Sequence, residues 1–224
     1  MPPVLLMFKT QTQGGRHSFM NIVFYLLAVF IITAWAIQIP FVQTIDQDIV
    51  QAVITIRHPL LTKFFLFVTS LGSSAVIFLF MLIITLTLVR LIRKRTVSVW
   101  YMYLFFFLER VLNETSKIWI SRERPSFASL VDESSFSFPS GHSMNAACMY
   151  AFFAFYLLMD VPYFRRHRTA VYIWTAALVI LIGGSRIYLG VHYLTDVIGG
   201  FSLGFLLFFM FKKIAENFLF VRQN

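Results

Sequence analysis

The chain has 224 residues, 58% of them hydrophobic and 13% charged, with 27 phenylalanines and a formal net charge of +9. It is too apolar for an ordinary soluble domain, and its positive charge falls at a few sites instead of covering one face as in a nucleic-acid binder. A helix needs roughly 20 apolar residues to cross the ~30 Å hydrocarbon core of a bilayer. Candidate spans are 20–39, 72–92, 97–115, 142–161, 169–187 and 194–214. Six spans nearly exhaust the chain, so the expected fold is all-α and polytopic, one integral-membrane domain over 1–224. The first block is long enough for a retained span, and no secretory cleavage pattern is seen. Segment 41–71 is different. DIVQAVITIRH places Ile49, Val50, Val53 and Ile54 on one helical face, which predicts a short helix lying in the membrane interface. TKFFLFVTSLGSS is apolar but short and glycine-interrupted, a lead-in to the second span or a re-entrant piece. Cys148 lies in the fourth span and reads as a packing residue. Gly200 and Gly204 form a G-x-x-x-G in the last span, a close-packing pattern.

Twelve of the 19 Lys and Arg fall in four places: Lys9 and Arg16; Arg90, Arg93, Lys94 and Arg95; Arg165, Arg166 and Arg168; and Lys212, Lys213 and Arg222. With six spans all four lie on one side, which the positive-inside rule makes cytoplasmic, with both termini inside. Arg57 and Lys63 belong to the segment 41–71. Arg110 and Glu114, one helical turn apart, read as a structural ion pair. Arg122 and Glu123 receive no role. His17, His58 and His167 read as facing solvent or headgroups. The cations left on the outer side, Lys117, Arg124 and Arg186, need a reason to be there.

Three compact patterns supply one. In KIWISRERP, Lys117 lies near the outer end of the third helix; Pro125 disfavours helix for Arg124 and turns the chain outward. In SFSFPSGHSMN, Pro139, Ser140 and Gly141 start the fourth helix, whose free N–H groups and dipole favour an anion, and His142 sits at the mouth. Gly141 lets an anion approach the backbone. Phe136 and Phe138 read as aromatics anchored at the interface. In SRIYLGVHYLTD, Arg186 closes the fifth span, and His192 and Asp196 share a helix face four residues apart, so the carboxylate can orient the imidazole. All three patterns map to the outer membrane edge. Fixed cations, a helix N-terminus and two histidines suit phosphoryl transfer, because a phosphate spreads its charge over its non-bridging oxygens.

These residues resemble the type 2 phosphatidic acid phosphatase superfamily, which also contains the vanadium-dependent haloperoxidases. Its pattern is Lys, six residues, Arg-Pro; then Pro-Ser-Gly-His; then Ser-Arg, five residues, His, three residues, Asp. All eleven fixed positions are present between Lys117 and Asp196. The resemblance implies a metal-independent, cofactor-free lipid phosphatase with its site at the outer membrane edge. His192 would be the nucleophile, Asp196 its orienting partner, and His142 the acid and then the base. Lys117, Arg124, Arg186, Ser140 and Gly141 would bind phosphate. It offers phosphatidylglycerol phosphate first, then undecaprenyl diphosphate or phosphatidic acid. The expected partners are the lipid phosphate and the bilayer, with no nucleic acid, and the expected location is the plasma membrane. Rival readings are an anion or lipid transporter, a metal hydrolase using His142, His192 and Asp196, and a catalytically silent lipid-binding relative. A transport site belongs near the midplane, on broken helices.

Overall fold

A computed structural model of the protein describes residues 13–91, 96–127 and 129–219. Lys9, Arg93, Lys94, Arg95 and Arg222, counted among the orienting cations, lie outside the described residues. Helix α1 (Gln13–Ala36) packs along the last helix of the chain. Helices α2 (Pro40–Thr55) and α3 (Pro59–Leu71) each begin with proline in the first turn, where its missing N–H is not needed. His58 caps α3, its Nδ1 accepting from Leu60 N at 3.3 Å. A bend of 55° at Gly72 and Ser73 leads into α4 (Ser74–Leu91), so the pair is a broken span or a re-entrant turn, as the interrupted sequence predicts. Helix α5 (Thr96–Ile120) carries Glu109, Arg110, Glu114 and Lys117 in its second half.

Irregular stretches, 121–127 and 129–140, lead to α6 (Gly141–Asn145), a π-helical turn (Ala146–Tyr150) and α7 (Ala151–Asp160), the last three running on without a gap. Short α8 (Pro162–Arg166) precedes α9 (Arg168–Tyr188) and α10 (Leu194–Leu219). No strand occurs among the described residues. The core lies where α10 crosses α6, the π turn and α7: Met144, Cys148, Phe152, Leu203, Leu207 and Phe211 are buried together. The rings of Phe152 and Phe211 are 4.2 Å apart. Glycines permit this closeness. A Cβ at Gly204 would lie 2.5 Å from the Met144 carbonyl oxygen, and one at Gly200 2.6 Å from that of Ser140, so the G-x-x-x-G is a helix-packing device. Outward-facing side chains such as Phe24, Trp35, Trp100 and Trp174 are exposed, as a hydrocarbon surround requires.

Among the described residues, Ser18–Ala36, Arg168–Tyr188 and Leu194–Ala215 are long and apolar enough to cross a membrane, and a fourth is added if the bent α3–α4 pair counts as one. Six spans are not reached by this test. Helix α2 also differs from expectation. Its face of Ile49, Val50, Val53 and Ile54 packs on Ile187, Tyr193 and Val197 of the protein instead of lying against lipid.

Candidate active site

Helix α5 ends at Ile120. Ser121, at φ 49°, sits in the left-handed region and donates its N–H to the Lys117 carbonyl at 2.8 Å. The helix thus stops before Arg124 and Pro125, with Lys117 in its last turn as the sequence reading expects. Arg124 lies in the irregular stretch and meets Lys117 through Ser135. The Ser135 hydroxyl accepts from Lys117 Nζ at 2.8 Å and from Arg124 Nη2 at 3.1 Å, and its carbonyl from Arg124 Nε at 2.6 Å. Arg186, in the last turn of α9, is 2% exposed. Its Nη1 donates to Thr69 Oγ1 of α3 at 2.8 Å, and its Nη2 to Glu133, whose carboxylate also lies 3.6 Å from Arg124. Arg186 Nε is buried without an acceptor. Burial alone would raise the Glu133 carboxyl, but the two guanidiniums outweigh it and hold it below the usual carboxylate range. A carboxylate thus occupies the cationic cluster that the sequence reserved for phosphate. Arg57 donates to the Tyr188 carbonyl at 3.0 and 2.8 Å and closes the C-terminus of α9.

Ser140 is the N-cap of α6, its Oγ accepting from Ser143 N at 3.4 Å and Ser143 Oγ at 2.9 Å. Its own N–H donates to the Asp196 carbonyl at 3.0 Å, which ties the Pro-Ser-Gly-His turn to α10. Gly141 also sits close to α5: a Cβ there would lie 3.0 Å from Asn113 Oδ1. His142 is backed by Gly72 at the α3–α4 bend, where a Cβ would stand 3.3 Å from its ring carbon Cδ2. Asn145 secures the same bend, donating to the Gly72 carbonyl and Ser74 Oγ at 3.1 Å each. Phe138 departs from the expectation of an interface anchor. It is fully buried, 5.7 Å from the Phe30 ring and against Gly199, whereas Phe136 is exposed. An uncharged ring next to the turn packs better against α1 and α10 than against water.

Gly190, at φ 73°, makes the tight turn between α9 and α10. Because α10 starts at Leu194, His192 precedes the helix, and the pair with Asp196 does not come from one helical face. Asp196 instead reaches back over the helix start. Its Oδ2 accepts from Tyr193 N at 2.9 Å, from Ser137 Oγ, and lies 3.4 Å from His192 Nδ1. Arg124 Nη1 is 3.2 Å from His192 Nε2. A guanidinium only donates, so Nε2 is the acceptor and the proton sits on Nδ1, facing Asp196. The ring is neutral for a second reason: burial, with Arg186 and Arg124 nearby, lowers its pKa to about 4 although Asp196 pulls the other way.

The structure thus brings Lys117, Arg124, Arg186, His192 and Asp196 together, with Ser140, Gly141 and His142 on the adjoining turn. It adds residues the sequence reading left out. Glu133, Ser135 and Ser137 lie in a stretch without periodicity, where nothing marks a polar side chain as directed inward. Asp46 lies on α2, and Arg122 joins it to Asp196 through contacts of 2.7 and 2.6 Å. A cavity of about 360 Å³ opens beside Lys117, Arg124 and Glu133 and runs along Glu114 and Ile118 of α5. The Arg110–Glu114 pair forms at 2.9 Å, as its spacing predicts. Among the described residues, no group of three or more His, Cys, Asp or Glu is placed to hold a metal ion.

The profile of the PAP2 superfamily matches residues 98–219. The chain is 46% identical over 199 residues to phosphatidylglycerophosphatase B of Bacillus subtilis, covering 89% of this chain and 97% of that protein. It resembles the crystal structure of a transmembrane PAP2 type phosphatidylglycerolphosphate phosphatase from Bacillus subtilis with a TM-score of 0.84 and 44% identity, over 88% of this chain and 96% of that one. The Aquifex aeolicus LpxE structure matches at a TM-score of 0.60 and 25% identity, over 75% and 95% of the two chains.

Proposed function

This chain belongs to the PAP2 superfamily, and from that membership and the geometry above we propose that it is a membrane lipid phosphatase that removes the terminal phosphate of phosphatidylglycerol phosphate. The observation that carries the reading is the cationic cluster of Lys117, Arg124 and Arg186 gathered on Ser135 and Glu133, with Arg124 also on His192 Nε2 and Arg186 Nε left as a donor lacking an acceptor. An incoming phosphate displaces the Glu133 carboxylate and satisfies that donor. Arg124 moves from Nε2 of His192 to a phosphate oxygen. Nε2 then attacks phosphorus in line, a P–N bond forms, the P–O ester bond breaks, and His142 gives its proton to the leaving alkoxide. Asp196 holds the Nδ1 proton and offsets the positive charge that develops on the ring. In the second step His142 takes a proton from water, the water oxygen attacks phosphorus, and the P–N bond breaks to release phosphate. Lys117, Arg124 and Arg186 stabilise the charge that grows on the equatorial oxygens in both steps.

The cavity along α5 suits a substrate whose phosphate sits at headgroup level and whose tails stay in the bilayer. In this reading six segments cross the plasma membrane, both termini are cytoplasmic, and the site faces outward. The reading is tested with detergent-purified protein and EDTA, by phosphate release from phosphatidylglycerol phosphate, phosphatidic acid and undecaprenyl diphosphate. Phosphatidylglycerol phosphate is expected to turn over fastest, with or without chelator. Loss of activity with EDTA would favour the metal hydrolase, and no release from any lipid by folded protein would sink the reading. A cysteine placed at the exposed Ser126 is expected to label from outside intact cells; labelling only from the cytoplasm would reverse the orientation.

A further inference from the structure

Asp196 has two carboxylate oxygens with separate tasks. Oδ2 serves Ser137, Tyr193 N–H and His192, while Oδ1 is held by Arg122 Nη1 at 2.6 Å. The same guanidinium gives Nη1 to Thr195 Oγ1 at 2.7 Å and Nη2 to Asp46 Oδ2 at 2.7 Å, and it lies over the Tyr193 ring at 4.2 Å. Asp46 in turn accepts from Thr195 N at 3.2 Å and from its hydroxyl, so α2 is fastened to the first turn of α10. These groups are secluded: the Arg122 side chain is 10% exposed, Asp46 1% and Asp196 0%.

We infer that Arg122 is a positioning residue: anchored by Asp46, it holds the Asp196 carboxylate in the orientation that aims Oδ2 at His192. Two physical reasons carry this. With Oδ1 fixed, the carboxylate cannot rotate its second oxygen away from the imidazole. With His192 neutral, Arg122 is also the cation in direct contact with the buried Asp196, and a buried charge without a partner is costly. A forked guanidinium reaches two carboxylates at once, which the point charge of lysine cannot do. The inference rests on the function proposed above, since it assigns Asp196 the orienting role.

The paired variant R122Q/D46N removes one charge of each sign. Its kcat, on whichever lipid phosphate the unsubstituted protein hydrolyses, is expected to fall about 100-fold. That is less than the roughly 10⁴-fold cost of disabling an orienting carboxylate itself. KM and the inhibition constant of inorganic phosphate are expected to stay within about threefold, because Arg122 acts through Asp196 and not on the phosphate. A kcat within about threefold of the unsubstituted protein would overturn the inference. So would a loss of inorganic phosphate affinity in step with kcat, which would place Arg122 on the phosphate. If the paired variant is not monodisperse, R122K decides: about tenfold lower kcat with unaltered inhibition by inorganic phosphate is expected, and unaltered kcat refutes. If the unsubstituted protein hydrolyses none of the lipids, the proposed function fails on its own. The hydrogen-bonded Nδ1 proton of His192, read by NMR, then reports the positioning: it should shift or vanish in R122K, and an unmoved signal would refute the role.

Discussion

Gly200→Ala probes how closely α10 must approach the start of α6. A Cβ at Gly200 would stand 2.6 Å from the Ser140 carbonyl oxygen, 3.0 Å from Ser143 Cβ and 3.2 Å from Met144 N. An ordinary contact begins at 3.4 Å, so the helices must separate by about 0.8 Å, and the nearest atom is backbone that cannot turn aside. Asp196 lies one turn before Gly200 on α10, and Ser140 and His142 lie on the opposing turn. The separation therefore falls directly between the two histidine-bearing elements. Misplacement by about 1 Å at a reacting centre costs up to ~10²-fold in rate, and overpacking costs about 1–3 kcal/mol of stability. Gly200→Ala is expected to lose about 30- to 100-fold in kcat for phosphate release and to lower Tm. Gly184, in α9, provides the control, because a Cβ there meets nothing within 4 Å. Gly184→Ala is expected to keep kcat and gain about 0.5–1 kcal/mol from helix propensity. Wild-type kcat and Tm in Gly200→Ala would refute the claim that this contact sets the site.

His192→Ala is expected to abolish lipid phosphate turnover by about 10³-fold or more while inorganic phosphate still binds, and His142→Ala to slow turnover strongly; full activity in either removes that residue's role. Glu133→Gln frees Arg186 and Arg124 from a competing anion, so the inhibition constant of inorganic phosphate is expected to fall about tenfold, and an unaltered constant would mean the carboxylate does not occupy the phosphate position. By ¹⁵N-histidine NMR, the resonance lost in His192→Ala is expected to titrate near pH 4 and not near 6.5. The sign for stability follows: between pH 6.5 and about 4 the unfolded ring binds a proton that the folded ring refuses, so this group favours unfolding as pH falls through that window. A resonance titrating near 6.5 would refute both.

Much of this site was legible in the residues themselves. Lys117, Arg124, Arg186, His142, His192 and Asp196 stand at spacings that resemble the superfamily's pattern, and Gly200 and Gly204 announce a close helix crossing. The apolar blocks set the helices because a bilayer leaves backbone groups no partner but their own helix. Periodicity also predicted the Arg110–Glu114 pair and the apolar face of α2. Its surroundings were another matter. That face packs on protein, Phe138 is buried, Arg122, Glu133 and Ser137 enter the site from a stretch with no repeating pattern, and Asp46 reaches it from α2. Local sequence dictates which residues can be helical and which chemistry they carry, because both depend on neighbours a few positions apart. Which carboxylate answers which cation depends on contacts such as Arg122 with Asp46, 76 residues apart. Only the packing of α2, α5, α9 and α10 brings those groups within reach of each other.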